Sequence, residues 1–219
     1  MRIHKAGIGV LLVAAGIFSL IVSLLAIIHV NSIVLYSLST GLAILLLFML
    51  WFFRNPKRKI TINENQVIAP ADGKIVVIEE IFEDEYIKDK CIQISIFMSI
   101  WNVHINWMPV LGRVLQTLHF NGRYMAAWLP KASTENERSV ILIETKSAGK
   151  ILVKQIAGAL ARRIITYVKQ NDSIMAGDQL GFIRFGSRVD VLIPVNSNVK
   201  VNLNDKVTGG KTLLAEFSK

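Results

Sequence analysis

The sequence predicts a mainly β (α+β) fold in which a β-rich domain follows an N-terminal transmembrane helical hairpin. Residues 7–53 contain no Asp, Glu, Lys or Arg, whereas the remaining chain has an ordinary polar composition. From Thr61 onward, short runs of β-branched and aromatic residues alternate with Gly-containing turns. The chain of 219 residues carries a net charge of +9 and a mean hydropathy of +0.45. This pairing is typical of a chain divided between membrane and water.

The first part of the chain contains two apolar runs, residues 6–30 and 33–53, each long enough to cross a bilayer as a helix. Basic residues flank both ends, and the connection between the runs is short and uncharged. The positive-inside rule therefore predicts a cell-membrane protein whose termini and β-rich domain are cytoplasmic. A cleavable signal peptide fits poorly because the apolar region is too long and doubled. One spanning helix plus one interfacial helix is the alternative.

We expect a membrane anchor over residues 1–59 and a second domain over residues 60–219. The anchor ends in a basic cluster at residues 54–59, and each basic residue near anionic headgroups contributes about 1 kcal/mol of membrane attraction. Nucleic-acid binding ranks lower, because the other basic residues are scattered and no nucleic-acid motif is present. Cys91 is the single cysteine of the chain, which excludes an intrachain disulfide, and its apolar neighbours predict a core position.

Residues 181–194 comprise two apolar runs that meet at Gly186 and Ser187. These residues alone favour a β-hairpin or bulge in which Gly186 adopts a positive φ and Ser187 is a turn residue. A chemical interpretation is also open. The Ser187 hydroxyl would lie close to the carbonyl carbon of Gly186, which is its nearest electrophile.

Asp72 and His104 are the other candidates for chemistry. Taken singly, Asp72 is a turn residue in an Asp-Gly pair, and a lone His in an apolar setting is more often structural. Together with Ser187, they are the parts of a nucleophile, base and orienter set. The histidines and the cysteine show no metal-ligand spacing, so no metal is expected. Neither a phosphate-binding loop nor a dinucleotide fingerprint is present in the sequence.

A set of motifs in a fixed order identifies a resemblance. They are Phe53-Arg-Asn-Pro56, Ala69-Pro-Ala-Asp-Gly73, Phe97-Met-Ser-Ile-Trp-Asn-Val-His104, Asn136-Glu-Arg138 and Arg184-Phe-Gly-Ser-Arg-Val-Asp190. Together they resemble the phosphatidylserine decarboxylase family, in its short form with a Gly-Ser processing site. The Ala-Pro-Ala-Asp-Gly motif is also similar to lipoyl and biotinyl carrier domains, which implies a barrel-sandwich-like core by fold analogy.

The resemblance implies a proenzyme that cleaves itself between Gly186 and Ser187. Ser187 Oγ would attack the Gly186 carbonyl to form an ester, and β-elimination would leave a dehydroalanine that hydrolyses to a pyruvoyl group and ammonia. The products would be a beta chain, 1–186, and an alpha chain, 187–219, that stay together as a heterodimer. His104 and Asp72 would assist, with Asp72 orienting or charging the imidazole.

The resemblance also implies the mature reaction. The amine of phosphatidylserine would form a Schiff base with the pyruvoyl group, and loss of CO₂ and protonation, with His104 as candidate donor, would yield phosphatidylethanolamine. The pyruvoyl group is covalent, so no external cofactor is expected. The implied partners are the phosphatidylserine substrate and the membrane, and no nucleic acid. The sequence leaves the lipid tails open, acyl or isoprenoid.

One position departs from the family pattern. Longer members often carry His-x-x-His-x-Pro, whereas this chain has Trp107 at the second histidine position. His104 would then serve both cleavage and decarboxylation, or Asn106 or a water would take one role. His119, predicted to lie in a loop over residues 119–131, is a lesser candidate. The alternative function is a membrane-anchored, lipoyl-like β domain that acts as a non-catalytic adaptor.

Overall fold

A computed structural model describes residues 2–61, 63–123, 125, 132–159, 163–175, 177–184 and 186–218. The chain forms two compact units, Met1–Pro56 and Lys57–Lys219. The first unit consists of four elements: β1 (Arg2–Ile3), α1 (Lys5–Ile27), α2 (Ser32–Phe52) and β2 (Arg54–Asn55). Strands β1 and β2 pair antiparallel, so the two ends of the helical hairpin are joined.

Both helices begin at a side-chain cap. The Asn31 amide oxygen accepts a hydrogen bond from the Ile33 N–H at 2.9 Å, and His4 Nδ1 accepts one from the Ala6 N–H at 3.3 Å. Apolar side chains are exposed around nearly the whole surface of α1 and α2. Both helices are long and apolar enough to cross a membrane. A helix that is apolar all round needs a core or a bilayer to cover it.

The second unit is mostly β-sheet. Its elements are β3 (Gln66–Ile68), β4 (Gly73–Glu83), β5 (Asp89–Met98), β6 (Ile105–Trp107), β7 (Gly112–Phe120), α3 (Ala132–Glu135), β8 (Arg138–Thr145), β9 (Gly149–Ala157), β10 (Ile164–Thr166), β11 (Ser173–Ile174), β12 (Gln179–Ile183), β13 (Ser187–Pro194), β14 (Asn198–Val199), β15 (Lys206–Val207) and β16 (Leu213–Glu216). The predicted fold class, a β domain behind a helical hairpin, is confirmed.

The strands of this unit form three antiparallel sheets over the described residues. The largest has the order β11-β7-β8-β9-β13-β5-β4-β15, and the smaller two have the orders β10-β12-β6 and β14-β16-β3. Alternate residues of β5, β9 and β13 point into one apolar core with residues of the smaller sheets. Strand β13 lies between β5 and β9, so it is paired along both edges.

The structure corrects the hairpin interpretation of residues 181–194. Strand β12 pairs with β6 and β10, whereas β13 pairs with β5 and β9, so the two strands belong to different sheets. The chain thus changes sheets at the Gly-Ser pair. Local residue patterns predict a turn at this point, but they do not determine which strands pair on either side of it.

Other boundaries also differ from prediction. His119 and Phe120 lie in β7 and not in a loop, while residues 126–131 of that predicted loop lie outside the described residues. The short strands β6 and β15 were not predicted, because two or three residues carry too little periodicity.

Cys91 is a core residue, as predicted. Its side chain is buried in a second apolar cluster with Val140, Leu142, Leu152 and Leu192. Burial, aided by the nearby Glu83 carboxylate, raises the pKa of the Cys91 thiol to about 11. The thiol therefore stays protonated at neutral pH and packs as a small apolar group.

Candidate active site

The candidate site lies where β13 begins. Ser187 is the first residue of this strand, and its Cα partners are Met98 at the end of β5 and Ala157 at the end of β9. Its side chain is fully buried. Gly186 has φ +72°, the left-handed conformation that Gly adopts without steric cost, so the predicted positive φ is confirmed.

His104 lies directly against this segment. Its side chain is buried, and its Nε2 atom accepts a hydrogen bond from the Gly186 N–H at 3.1 Å. The other ring nitrogen, Nδ1, is 3.0 Å from the Asn102 carbonyl oxygen. Because an amide N–H only donates and a carbonyl only accepts, the proton is assigned to Nδ1 and the imidazole is neutral. A neutral ring leaves Nε2 able to accept a proton when the Gly186 N–H no longer occupies its lone pair.

The Ser187 hydroxyl donates to a weak acceptor. Its Oγ lies 3.2 Å from the thioether sulfur of Met98, and the Asn106 amide nitrogen lies 3.6 Å from the same sulfur. A thioether accepts hydrogen bonds weakly, so less free energy is needed to release this hydroxyl than to break a bond to a carboxylate or carbonyl. The nucleophile candidate is thus oriented without being strongly bound.

A chain of buried polar groups holds the Asn106 amide. Gln155 Nε2 donates to Asn106 Oδ1 at 2.6 Å, and Thr166 Oγ1 donates to Gln155 Oε1 at 3.2 Å. The Ser139 and Thr166 hydroxyls lie 2.9 Å apart. A network of this kind fixes which amide atom faces Met98. Sequence reasoning named Asn106 but missed Gln155. The strand that contains Gln155, β9, was distinguished only by its apolar residues, which do not indicate a functional site.

Asp72 lies in an ion pair. Its two carboxylate oxygens accept hydrogen bonds from Arg58 at 2.6 and 2.8 Å, and the Gly209 N–H donates to one of them at 2.8 Å. The Arg58 guanidinium lies over the Trp107 ring, 4.2 Å from its centroid. Arg58 thus contacts both Asp72 and Trp107, and Trp107 is the position at which longer members of the family that the sequence resembles carry His. The role of Asp72 toward His104 stays a prediction.

The same contacts correct one part of the basic-cluster prediction. The Arg58 side chain is 7% exposed and paired with Asp72, so it is not available to lipid headgroups. Arg54, in the other unit, donates to the Trp51 carbonyl and stacks on the Trp51 ring. Lys57 and Lys59 are exposed. The electrostatic attraction assigned to residues 54–59 therefore lacks the contribution of Arg58.

His119 lies in β7, and the Asn136-Glu-Arg motif lies at the start of the neighbouring strand β8. His119 Nε2 is 3.5 Å from a Glu137 carboxylate oxygen, and that oxygen also accepts the Ile164 N–H. The Asn136 amide nitrogen donates to the Ala157 carbonyl at 2.7 Å. Since Ala157 is a Cα partner of Ser187, this motif supports the strand that borders the candidate nucleophile.

A buried ion pair follows Ser187 on the same strand. Arg188 Nε and Nη2 lie 2.8 and 3.0 Å from the two oxygens of Asp190. Burial raises the pKa of Asp190, while the Arg188 charge and a hydrogen bond from Ser95 oppose that rise. Among the described residues, no group of three or more His, Cys, Asp or Glu side chains could hold a metal.

Comparisons with known proteins assign this chain to a family. The family model described as phosphatidylserine decarboxylase matches residues 45–215. The chain is 49% identical over 220 residues to the phosphatidylserine decarboxylase proenzyme of Parabacteroides distasonis, with 100% of both chains covered.

Two further relatives carry the same name. The protein of Cytophaga hutchinsonii is 48% identical over 218 residues, covering 99% of each chain. That of Bacteroides thetaiotaomicron is 52% identical over 172 residues, covering 78% of this chain and 75% of the relative. Matches of this extent agree with the order of the motifs in the sequence. The chain therefore belongs to the phosphatidylserine decarboxylase family.

Proposed function

We propose that this decarboxylase cleaves itself between Gly186 and Ser187, makes a pyruvoyl group from Ser187, and converts phosphatidylserine to phosphatidylethanolamine and CO₂. One observation carries the proposal. The neutral His104 imidazole contacts the residue before the scissile bond through the 3.1 Å hydrogen bond from the Gly186 N–H to Nε2. A proton acceptor and a buried hydroxyl thus flank one peptide bond.

Self-cleavage needs the Ser187 hydroxyl proton to leave and the Gly186 carbonyl to be attacked. His104 Nε2 accepts the proton, Oγ bonds to the Gly186 carbonyl carbon, and the Ser187 nitrogen leaves with a proton as an amine, giving an ester. Elimination then transfers the Cα proton of residue 187 to a base, breaks the Cβ–Oγ bond and releases the Gly186 carboxylate. Water converts the remaining dehydroalanine to a ketone and ammonia, so atoms and charges balance.

The surroundings of residue 187 fit a pyruvoyl group. Its side chain packs between the Met98 thioether and the small side chain of Ala157, where a methyl group is accommodated as well as a hydroxymethyl. When present, the ketone supplies an electron sink through the substrate amine. His104 remains beside it as a proton donor or acceptor. Asp72, held by Arg58, contributes a fixed charge near Trp107.

The alpha chain, 187–219, stays bound after cleavage in this proposal. Strand β13 pairs with β5 over its whole length and with β9 from Ser187 to Leu192. Both neighbouring strands belong to the beta chain, 1–186. Backbone hydrogen bonds along both edges and the shared core replace the lost covalent bond. The two products therefore form a heterodimer.

We also propose that residues 1–59 anchor the enzyme in the cell membrane with residues 60–219 on the cytoplasmic side. The two apolar helices support the anchor. The exposed Lys57 and Lys59 follow α2 in the chain. The positive-inside rule associates such basic residues with the cytoplasmic side of the membrane. Tethering restricts the search for a lipid substrate to the membrane plane, which raises its effective concentration.

Intact-mass measurement of the denatured protein tests the proposal. We expect two chains divided between Gly186 and Ser187, with the shorter chain blocked at its N-terminus by a ketone. His104→Gln should keep the fold but slow the appearance of the two chains about a hundredfold or more, as expected for loss of a general base. A wild-type chain that stays single, or a His104→Gln variant processed at the normal rate, would contradict the proposal.

A further inference from the structure

A row of polar side chains lies between the large sheet and the sheet that contains β6. The members of this polar row are Ser139, Thr166, Gln155 and Asn106. Ser187 pairs with Met98 of β5, and two residues later on β13, Val189 pairs with Gln155 of β9. Since residues two apart share a face of a strand, Gln155 lies on the same face of the large sheet as Ser187 and Met98. The polar row therefore ends beside the candidate nucleophile.

The groups of the polar row all donate in one direction. Thr166 Oγ1 donates to Gln155 Oε1 at 3.2 Å, so the Ser139 hydroxyl, 2.9 Å from Thr166, is the donor of that pair. Gln155 Nε2 is thereby turned toward Asn106 Oδ1, at 2.6 Å, and Asn106 Nδ2 faces the Met98 sulfur at 3.6 Å. A network in which each member is hydrogen-bonded fixes the orientation of both amides.

The backbone of β12 leaves room for the Gln155 amide. Gly181 is the Cα partner of Asn106, and a Cβ at Gly181 would lie 2.7 Å from Gln155 Nε2. A side chain at this position would displace the amide that holds Asn106. The glycine thus permits the close approach of the two sheets on which the Asn106 contact depends.

The Met98 sulfur receives two donors. Ser187 Oγ lies 3.2 Å from it and Asn106 Nδ2 lies 3.6 Å from it, and all three side chains are buried. A methionine side chain has three rotatable bonds, so a thioether with a single weak contact can turn away from the hydroxyl. The Asn106 contact restrains the sulfur, and the sulfur in turn orients Oγ.

The hydroxyl at the end of this arrangement exists only before cleavage. In the proposed reaction, Oγ leaves residue 187 as part of the Gly186 carboxylate when the Cβ–Oγ bond breaks, and a methyl group remains. The Met98 sulfur then has no hydroxyl to orient. A side chain that acts on Oγ through this sulfur can therefore affect self-cleavage but not decarboxylation.

We propose that Asn106 is a positioning residue for self-cleavage and not for decarboxylation. Through the Met98 sulfur it keeps the Ser187 hydroxyl oriented for attack on the preceding carbonyl, and Gln155 holds its amide in place. This inference rests on the proposed function, because it assumes that Ser187 is the nucleophile. It assigns Asn106 to one of the two reactions, a question that the sequence left open.

The test follows the appearance of the two chains by intact mass during cell-free synthesis of the full-length protein. Asn106→Leu keeps a branched side chain of similar shape but removes the amide, and we expect cleavage to slow about tenfold. Gln155→Met removes the donor that holds this amide and should slow cleavage about threefold. In both variants, the kcat for phosphatidylserine per cleaved chain should stay within about twofold of wild type.

A double-mutant cycle separates positioning from a general effect on packing. If Asn106 acts through the sulfur, Asn106→Leu should slow cleavage by less than about a further twofold in a Met98→Leu background. Equal slowing in both backgrounds would show that Asn106 acts independently of the sulfur and would overturn the inference. The matched control is Ser95→Ala, which removes a buried hydroxyl from the opposite face of β5 and should leave the cleavage rate unchanged. If Asn106→Leu does not fold, as judged by circular dichroism, the same cycle with Gln155→Met decides.

Failure of this inference is distinguishable from failure of the proposed function. If wild type is cleaved and both Asn106→Leu and Gln155→Met are cleaved at the wild-type rate, the positioning role is wrong and self-cleavage stands. A loss of kcat per cleaved chain as large as the loss of cleavage rate would place Asn106 in the mature site and also overturn the inference. If wild type remains one chain, the proposed self-cleavage fails first, and the inference fails with it.

Discussion

Two neighbouring parts of strand β13 are held in opposite ways. At its first residue, the Ser187 hydroxyl donates to the thioether of Met98, a weak acceptor. One and three residues later, Arg188 and Asp190 form a bidentate pair at 2.8 and 3.0 Å that is buried from water. The strand therefore combines a weakly bound nucleophile candidate with a buried, strongly paired set of side chains immediately beyond it.

This difference shows how one end of a strand can be cleaved while the rest of the strand stays paired in the sheet. The chemistry proposed for residue 187 breaks the backbone at one end of β13, so the remainder must be held by other means. Pairing along both edges does this, and the Asp190 carboxylate also accepts a hydrogen bond from Ser95 on β5. Conversely, a strong bond to the Ser187 hydroxyl would raise the barrier to attack. The following predictions test each half of the comparison.

The largest effect is expected for Ser187→Ala. Removing Oγ removes the nucleophile, so the protein should remain a single chain of 219 residues by intact mass and should be inactive. The fold should be retained, because only one weak hydrogen bond to Met98 is lost. A circular dichroism melt close to that of wild type is the control. A processed or active variant would contradict the assignment of Ser187.

Asp190→Asn tests the fixed half of the strand. It removes the charge opposite the buried Arg188 guanidinium, and breaking a buried pair from one side typically costs about 3–5 kcal/mol. We expect the free energy of unfolding, measured by denaturant titration on a Ser187→Ala background, to fall by this amount.

The control for Asp190→Asn is the double change Arg188→Met with Asp190→Leu. It leaves no buried charge from the pair and should recover most of the lost stability, since replacing a buried ion pair by apolar groups is often neutral. The raised pKa of Asp190, caused by its burial, is consistent with a pair that is expensive to desolvate. Equal losses in the single and double variants would indicate that the pair itself stabilises the strand.

Met98→Leu tests the weakly held half. Leucine keeps an apolar side chain of similar volume but removes the sulfur that accepts from Ser187 and Asn106. We expect self-cleavage to slow about tenfold, while stability changes by less than about 1.5 kcal/mol. Met108→Leu is a matched control, because Met108 is equally buried in the same core. Faster cleavage in Met98→Leu would show that the sulfur restrains the hydroxyl more than it orients it.

The smallest effect concerns the far end of β5. Cys91 pairs with Pro194 at the opposite end of β13 from Ser187. Because burial raises the thiol pKa to about 11, little thiolate is present at pH 8, and the rate of alkylation should rise with pH up to that value and level off above it. Iodoacetamide labelling followed by mass spectrometry should be negligible in native protein and complete in denaturant. Rapid native labelling would show that this end of the strand opens.

Much of the architecture was predictable from local patterns. The charge-free stretch of residues 7–53 predicted the helical hairpin, and β-branched runs between Gly turns predicted the β domain. The positive φ of Gly186 and the core position of Cys91 also followed from residue type. Each of these features depends on neighbours in sequence or on the side chain itself.

The candidate site was only partly predictable. The motif order drew attention to His104 and Ser187, and the structure brings His104 to the residue before Ser187. It also gives Asp72 the partner Arg58, which sequence reasoning had assigned to the membrane anchor. The side chain of Gln155 had no local signal. Its importance depends on which distant strands pair.

The sequence by itself therefore determined the apolar helical hairpin, the β class and the residues that can carry out chemistry. Hydropathy, periodicity and side-chain chemistry are local properties. Only the tertiary structure decided that β12 and β13 lie in different sheets, that Met98 accepts from Ser187, and that Arg58 pairs with Asp72. Antiparallel register joins residues far apart in the chain, and shifting it by one position would place every side chain on the opposite face. That choice is made by packing of the whole core.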